Sequence, residues 1–276
     1  MNLKTTSMEL LYHSVHKVSD RHEWILFLHG AGGSSRLWTQ HIKAFKDRFN
    51  LLLVDLRGHG KSKLTTSDSP YTLDLLTQDV TQVMDACGVR SAHVVGISLG
   101  AILQRWMVHR VPERVHSLVM VGAITRFDQW TWTLVHFGHA VKSWVPFLTL
   151  YRLFAWIIMP KKNHKATRRL FVREAKKMSQ QEFLRWFELT KKVPAAFKLF
   201  RDVEIPRPTL FIMGEEDHLF LKHIKRLVSM YPSYGLEVFA DCGHVCSVEK
   251  PTRFDQRTLA FYESLHSDLP KRSFPG

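Results

Sequence analysis

The chain has 276 residues, 45% of them hydrophobic and 23% charged, with 39 Lys+Arg against 25 Asp+Glu for a formal net charge of +14. That length suits one large α/β domain or two small ones, and the apolar content excludes disordered and fibrous classes. Three scattered cysteines, Cys87, Cys242 and Cys246, are too few for a disulfide framework, and the opening MNLKTTSMELLYH has neither an apolar core nor a cleavage site, so a cytoplasmic setting is expected.

In chain order, an apolar run at 24–28 precedes a helical pattern near 38–48, and a second run at 51–54 precedes a helix at 72–87. Runs at 93–95 and 118–121 flank a helix at 99–109. Runs at 210–213 and 236–239 alternate with helices at 219–230 and 252–265, the last with Pro251 near its first turn. Most of these runs are continuous rather than alternating, the pattern of strands buried on both faces of a parallel sheet. The predicted fold is therefore α/β, a mostly parallel, doubly wound sheet flanked by helices. Only 125–204 interrupts the rhythm. It contains no clear strand, but Ser179-Gln180-Gln181-Glu182 reads as a capping box ahead of Phe183, Trp186 and Phe187. A structureless loop of that length is improbable, so 125–204 is read as a helical insertion into a core of 1–124 and 205–276.

The chemistry sits at the ends of the predicted strands. Gly96-Ile97-Ser98-Leu99-Gly100 follows one strand and opens a helix. Glycines at both ends permit a sharp turn that lifts the Ser98 hydroxyl clear of the sheet. His29-Gly30-Ala31-Gly32-Gly33 ends the first strand, where a glycine-rich loop can aim backbone N–H groups at an oxyanion. Asp55 to Ser62 ends the second. Met213-Gly214-Glu215-Glu216-Asp217 carries an acid past a late strand, and Asp241-Cys242-Gly243-His244 carries a histidine past the last one. Asp217 is preferred over Glu215 and Glu216, which are read as solvated loop charges. His29 and His59 are read as loop stabilisers.

With these motifs in this order, the sequence resembles the α/β-hydrolase fold superfamily, in its capped serine esterase and lactonase type. The resemblance spans about residues 8–265. It implies that Ser98 is the nucleophile, Asp217 the acid and His244 the base, and that the backbone N–H groups of Ala31 and Leu99 form the oxyanion hole. It implies a helical cap inserted after the sixth strand. The activity implied is hydrolysis of a small carboxylic ester, thioester or lactone through an acyl-serine. A carbon–carbon bond hydrolase or lyase of a carboxylated metabolite is the alternative within the same chemistry, and an inert binding protein docking through a basic aromatic cap is the alternative outside it.

No cofactor is implied, because the glycine loop has neither G-K-[ST] nor G-x-G-x-x-G. No metal is implied by Cys242, His244 and Cys246, which lack a second ligand cluster. The insertion holds 15 aromatics, and Trp130, Trp132 and Phe137 are expected to line an acyl pocket. It also holds 16 Lys+Arg against 6 Asp+Glu, a net of +10 that leaves +4 for the other 196 residues. Nucleic acid is not expected, because no recognition motif accompanies the charge. An anionic substrate and peripheral contact with a membrane both remain open, as do monomer and homodimer.

Overall fold

The computed structural model describes residues 10–62, 70–201 and 203–267. Among the described residues seven strands form one sheet: β1 (His13–His16), β2 (Trp24–Leu28), β3 (Asn50–Val54), β4 (Ala92–Ile97), β5 (Val115–Val121), β6 (Thr209–Gly214) and β7 (Tyr234–Phe239). Their spatial order is β1-β3-β2-β4-β5-β6-β7. β1 runs antiparallel to β3, and every other pairing is parallel. Every residue of β3, β4 and β6 is buried, as their unbroken apolar runs require of strands covered on both faces. The edge strand β1, with sequence HSVH, is not apparent from sequence. It is short, half-buried and mostly polar, as suits a strand that pairs on one side only.

The helices on the sheet are α1 (Ile42–Phe45), α2 (Leu73–Ala86) and α3 (Leu99–Arg110). Five more lie between β5 and β6: α4 (Gln129–Val141), α5 (Phe147–Ile158), α6 (Lys165–Ala175), α7 (Gln180–Leu189) and α8 (Val193–Leu199). The chain then continues through α9 (Leu221–Met230), α10 (Cys246–Glu249) and α11 (Pro251–Ser267). The insertion leaves the sheet after β5, the fifth strand among the described residues, so the sixth strand follows it rather than preceding it. The pattern near 38–48 is in fact a 3-10 helix at Ser35–His41 that passes into α1. Its start is fixed by the buried Asp55 carboxylate, which accepts from Ser35 N–H at 2.6 Å. Ser179 Oγ caps α7 by accepting from Glu182 N–H at 3.1 Å. The Glu182 carboxylate does not close the box, because it accepts from Tyr71 Oη and pairs with Arg185. Among the described residues no helix is long and apolar enough to cross a membrane.

The strand order sets the position of the site. From β2 the chain moves to β3 on one side of the sheet and then crosses to β4 on the other. The loops leaving the carboxyl ends of β2 and β4 therefore diverge, and the crevice between them is where an open α/β sheet binds its ligand. Those two loops carry Ala31 and Ser98.

Candidate active site

Ser98 stands between β4 and α3 with φ 54° and ψ −108°. A non-glycine residue held at positive φ costs about 1–3 kcal/mol, so the surroundings must enforce the turn. The flanking glycines show how. A Cβ on Gly96 would lie 2.5 Å from Gly100 O, and one on Gly100 would run into the Leu28 carbonyl of the neighbouring strand. Side chains at either position would push α3 off the sheet. With them absent, Ser98 sits at the first turn of a 12-residue helix, where unpaired N–H groups favour developing negative charge.

His244 follows β7 and Asp217 follows β6. His244 Nδ1 lies 2.8 Å from Asp217 Oδ2, and both side chains are buried. A carboxylate accepts, so Nδ1 donates and Nε2 is left as the basic nitrogen. Nε2 is buried, has no hydrogen-bond partner among the described residues, and belongs to a side chain lining the same pocket as Ser98. Asp217 Oδ1 accepts from Phe220 N–H at 3.2 Å, which fixes the carboxylate from its other side. Among the described residues nothing accepts from the backbone N–H of Ala31 or Leu99, and both residues line the crevice beside Ser98.

Two chambers meet at Ser98. The larger, about 220 Å³, is lined by side chains of α4, α5, α7 and the β5–α4 loop together with Leu99, Ile102 and Leu219. Among the described residues its lining contains no Lys, Arg, Asp or Glu. The polar groups within it are already committed: Tyr151 Oη donates to Ala31 O at 2.9 Å, and Trp186 Nε1 donates to Arg57 O at 2.9 Å. The smaller chamber, about 30 Å³, lies on the His244 side between Ile158, Met159, Phe171 and Val245. It has room for roughly one or two water-sized groups.

Phe137 lines the larger chamber as expected. Trp130 and Trp132 do not. The residues of α4 that line the crevice are Thr131, Leu134, Val135, Phe137 and Gly138. Trp130 is not among them and is 59% exposed. Trp132 packs edge-on against Phe127 and stacks on His136. Tyr151, Phe183, Trp186 and Phe187 line the chamber instead. The i, i+4, i+7 spacing of Tyr151, Ala155 and Ile158 carried the signal for the inward face of α5, whereas the Tyr151 bond to Ala31 O has no local trace in the sequence.

His29 and His59 do stabilise loops. His29 Nε2 accepts from Leu56 N–H and His59 Nε2 from Gly32 N–H, each at 2.9 Å. Burial pushes both imidazoles below their ordinary value, His59 far below it, which keeps the accepting nitrogens unprotonated. Cys242 and Cys246 are buried free thiols. Glu216 corrects an expectation: it is not a solvated loop charge. Its carboxylate accepts from Lys161, Asn163 and His164 at 2.6, 2.8 and 2.7 Å, tying the insertion to the residue beside Asp217. His164 is fully buried, and its Nε2 also lies 3.8 Å from Glu249, whose carboxylate holds Gly243 N–H at 2.8 Å. The insertion is thus linked to the loops of both Asp217 and His244.

Burial pushes the Glu216 carboxyl up, but the three donors outweigh it and hold the group at about 2. Its ordinary value is 4.5, so the stabilisation is fully present above that pH and is lost as pH falls through about 2. Thermal melts of the wild type and Glu216→Gln are therefore expected to differ most near neutral pH and to converge between pH 4.5 and 2. A constant difference across that window would contradict the network.

A model of the alpha/beta hydrolase fold matches residues 23–251. The chain belongs to the α/β-hydrolase fold family. Among its relatives is a Caulobacter segnis protein named as a carbamate hydrolase, RutD, 28% identical over 87% of this chain and 91% of its own length. The carboxylesterase YbfK of Bacillus subtilis is 26% identical over 86% of this chain and 79% of its own length. A hydrolase from Pseudomonas aeruginosa superposes with a TM-score of 0.74 at 22% identity, covering 91% of this chain and 93% of that one. This α/β-hydrolase is an enzyme of the hydrolytic type that its full-length relatives represent.

Proposed function

We propose that this α/β-hydrolase cleaves a neutral carboxylic ester or thioester with an extended apolar acyl part and a small leaving group. Residues 125–204 act as its cap. The observation that carries this reading is the uncharged, apolar lining of the chamber that ends on Ser98. An acyl chain filling it gains about 25 cal/mol for each Å² removed from water. A carboxylate there would meet no cation and would keep its desolvation cost. That weighs against the carboxylated substrates of carbon–carbon hydrolases, such as the relative from Burkholderia vietnamiensis named as a 2-hydroxy-6-oxononadienedioate hydrolase.

The arrangement of Ser98, His244 and Asp217 supports the following roles. His244 Nε2 takes the Ser98 proton as Oγ attacks the acyl carbon, and Asp217 holds the imidazole through Nδ1 and stabilises the imidazolium. The N–H groups of Ala31 and Leu99 receive the oxyanion, each contributing roughly 3 kcal/mol of barrier lowering. The imidazolium then protonates the leaving group, which must therefore sit on the His244 side. That side is the smaller chamber, so the leaving group is small and the acyl part takes the larger one. Water enters by the same side and is activated by His244 to release the acid.

The test is a panel of methyl and ethyl esters graded by acyl length, run beside matched half-esters ending in a carboxylate. kcat/KM is expected to rise over several methylenes, by about threefold to fourfold each while the chamber fills. It is expected to fall by about 100-fold or more for the carboxylated acyl chains. A preference for the carboxylated substrates would overturn the reading.

A further inference from the structure

We propose that the outer face of α5 and α6 is a docking surface for an anionic phospholipid bilayer. α6 buries Thr167, Phe171, Glu174 and Ala175, and directly opposite that face it presents Lys165, Arg169, Arg173 and Lys176. At 100° per residue these four cations fall within an arc of about 80°. All four are exposed, and none has an ion-pair partner among the described residues. Four unpaired like charges on three turns repel one another, which a purely structural helix has no reason to accept.

The neighbouring ridge is apolar. α5 turns Tyr151, Ala155 and Ile158 inward and leaves Leu153, Phe154 and Trp156 outside, at 43%, 48% and 57% exposure. Trp144, just before α5, is 90% exposed. Single exposed apolar residues are ordinary, but Leu153 and Trp156 lie within about 60° of each other on α5, the helix that packs against the cationic α6. A bilayer with anionic headgroups complements both at once, because cations meet the headgroups while tryptophan and leucine enter the interfacial layer. A nucleic acid or an acidic protein would satisfy the charges and leave the apolar ridge in water. Leu153 and Phe154 also line the larger chamber, so the ridge that meets lipid is the rim of that chamber. An apolar substrate dissolved in the bilayer then reaches Ser98 without crossing water.

The full chain is tested by flotation with vesicles of phosphatidylcholine alone and of phosphatidylcholine with phosphatidylserine. Binding is expected to the anionic vesicles only, and to be lost at about 0.5 M salt as screening shortens the range of the cations. Lys165→Glu/Arg169→Glu/Arg173→Glu should weaken it by about 100-fold or more, at roughly fivefold per cation. Trp156→Ser should weaken it without changing the salt dependence. None of these four residues lines the chambers, so cleavage of a soluble short-chain ester should stay within about twofold, which also reports that the variants fold. No flotation, equal binding to neutral vesicles, binding indifferent to the triple change, or retention on heparin or duplex DNA without flotation would each overturn the proposal. Binding is read without turnover, so its failure is separate from any failure of the esterase reading.

Discussion

Ser98→Ala is expected to lower kcat for a neutral ester by about 10⁶-fold, to leave KM nearly unchanged, and to abolish labelling by a fluorophosphonate. The magnitude follows from the division of labour. Oγ supplies the bond-forming electron pair, whereas the chamber walls that hold the acyl chain are untouched by removing one oxygen. A companion variant separates chemistry from folding. Ser98 is held at φ 54°, a conformation that glycine adopts without strain. Ser98→Gly should therefore be equally inactive and slightly more stable, because relief of about 1–3 kcal/mol of strain exceeds the roughly 0.5–1 kcal/mol of added chain entropy. A melting temperature at or above wild type, with no turnover, would show a turn strained for function rather than for the fold. Turnover within tenfold of wild type in Ser98→Ala, or retained labelling, would remove Ser98 as the nucleophile.

The sheet was readable because burial on both faces writes itself into the sequence as unbroken apolar runs, and the elbow because only glycine fits where α3 crosses Leu28. Ser98, Asp217 and His244 could be singled out as candidates since each lies shortly past the end of a strand. The insertion was readable only as helices. Which faces of α4 and α5 meet the crevice depends on how they dock, and aromatic content misled there. Trp130 is as apolar as Trp186, yet Trp130 is largely exposed while Trp186 is buried with its indole N–H on Arg57 O. The Glu216–His164 contact joins residues 52 positions apart, and no local pattern announces such a pair. Charge composition fared differently. A net +10 falls in the insertion, but only the helical register of α6 reveals that its exposed cations form one stripe.

Asp217→Asn is expected to lower kcat by about 10⁴-fold with little change in KM, and the structure dictates why. Phe220 N–H donates to Oδ1, so the asparagine carbonyl must take that position to keep an acceptor there. The amide NH₂ is then left facing His244 Nδ1 at the 2.8 Å site where Oδ2 stood. Two donors cannot share a bond, so the imidazole moves its proton to Nε2 and loses the lone pair that should receive the Ser98 proton. The neighbouring acids provide the control. Glu215 is exposed, and Glu215→Gln should cost less than about twofold. Glu216→Gln loosens the tie to Lys161, Asn163 and His164 but leaves Asp217 on His244, so its effect on kcat should stay near tenfold or below. Should Glu216→Gln cost more than Asp217→Asn, the acid of the site would be Glu216, reached through a different arrangement of the β6–α9 loop. The rank order of the three variants on one soluble ester therefore assigns the acid, because each carboxylate has a different partner while the apolar chamber stays the same.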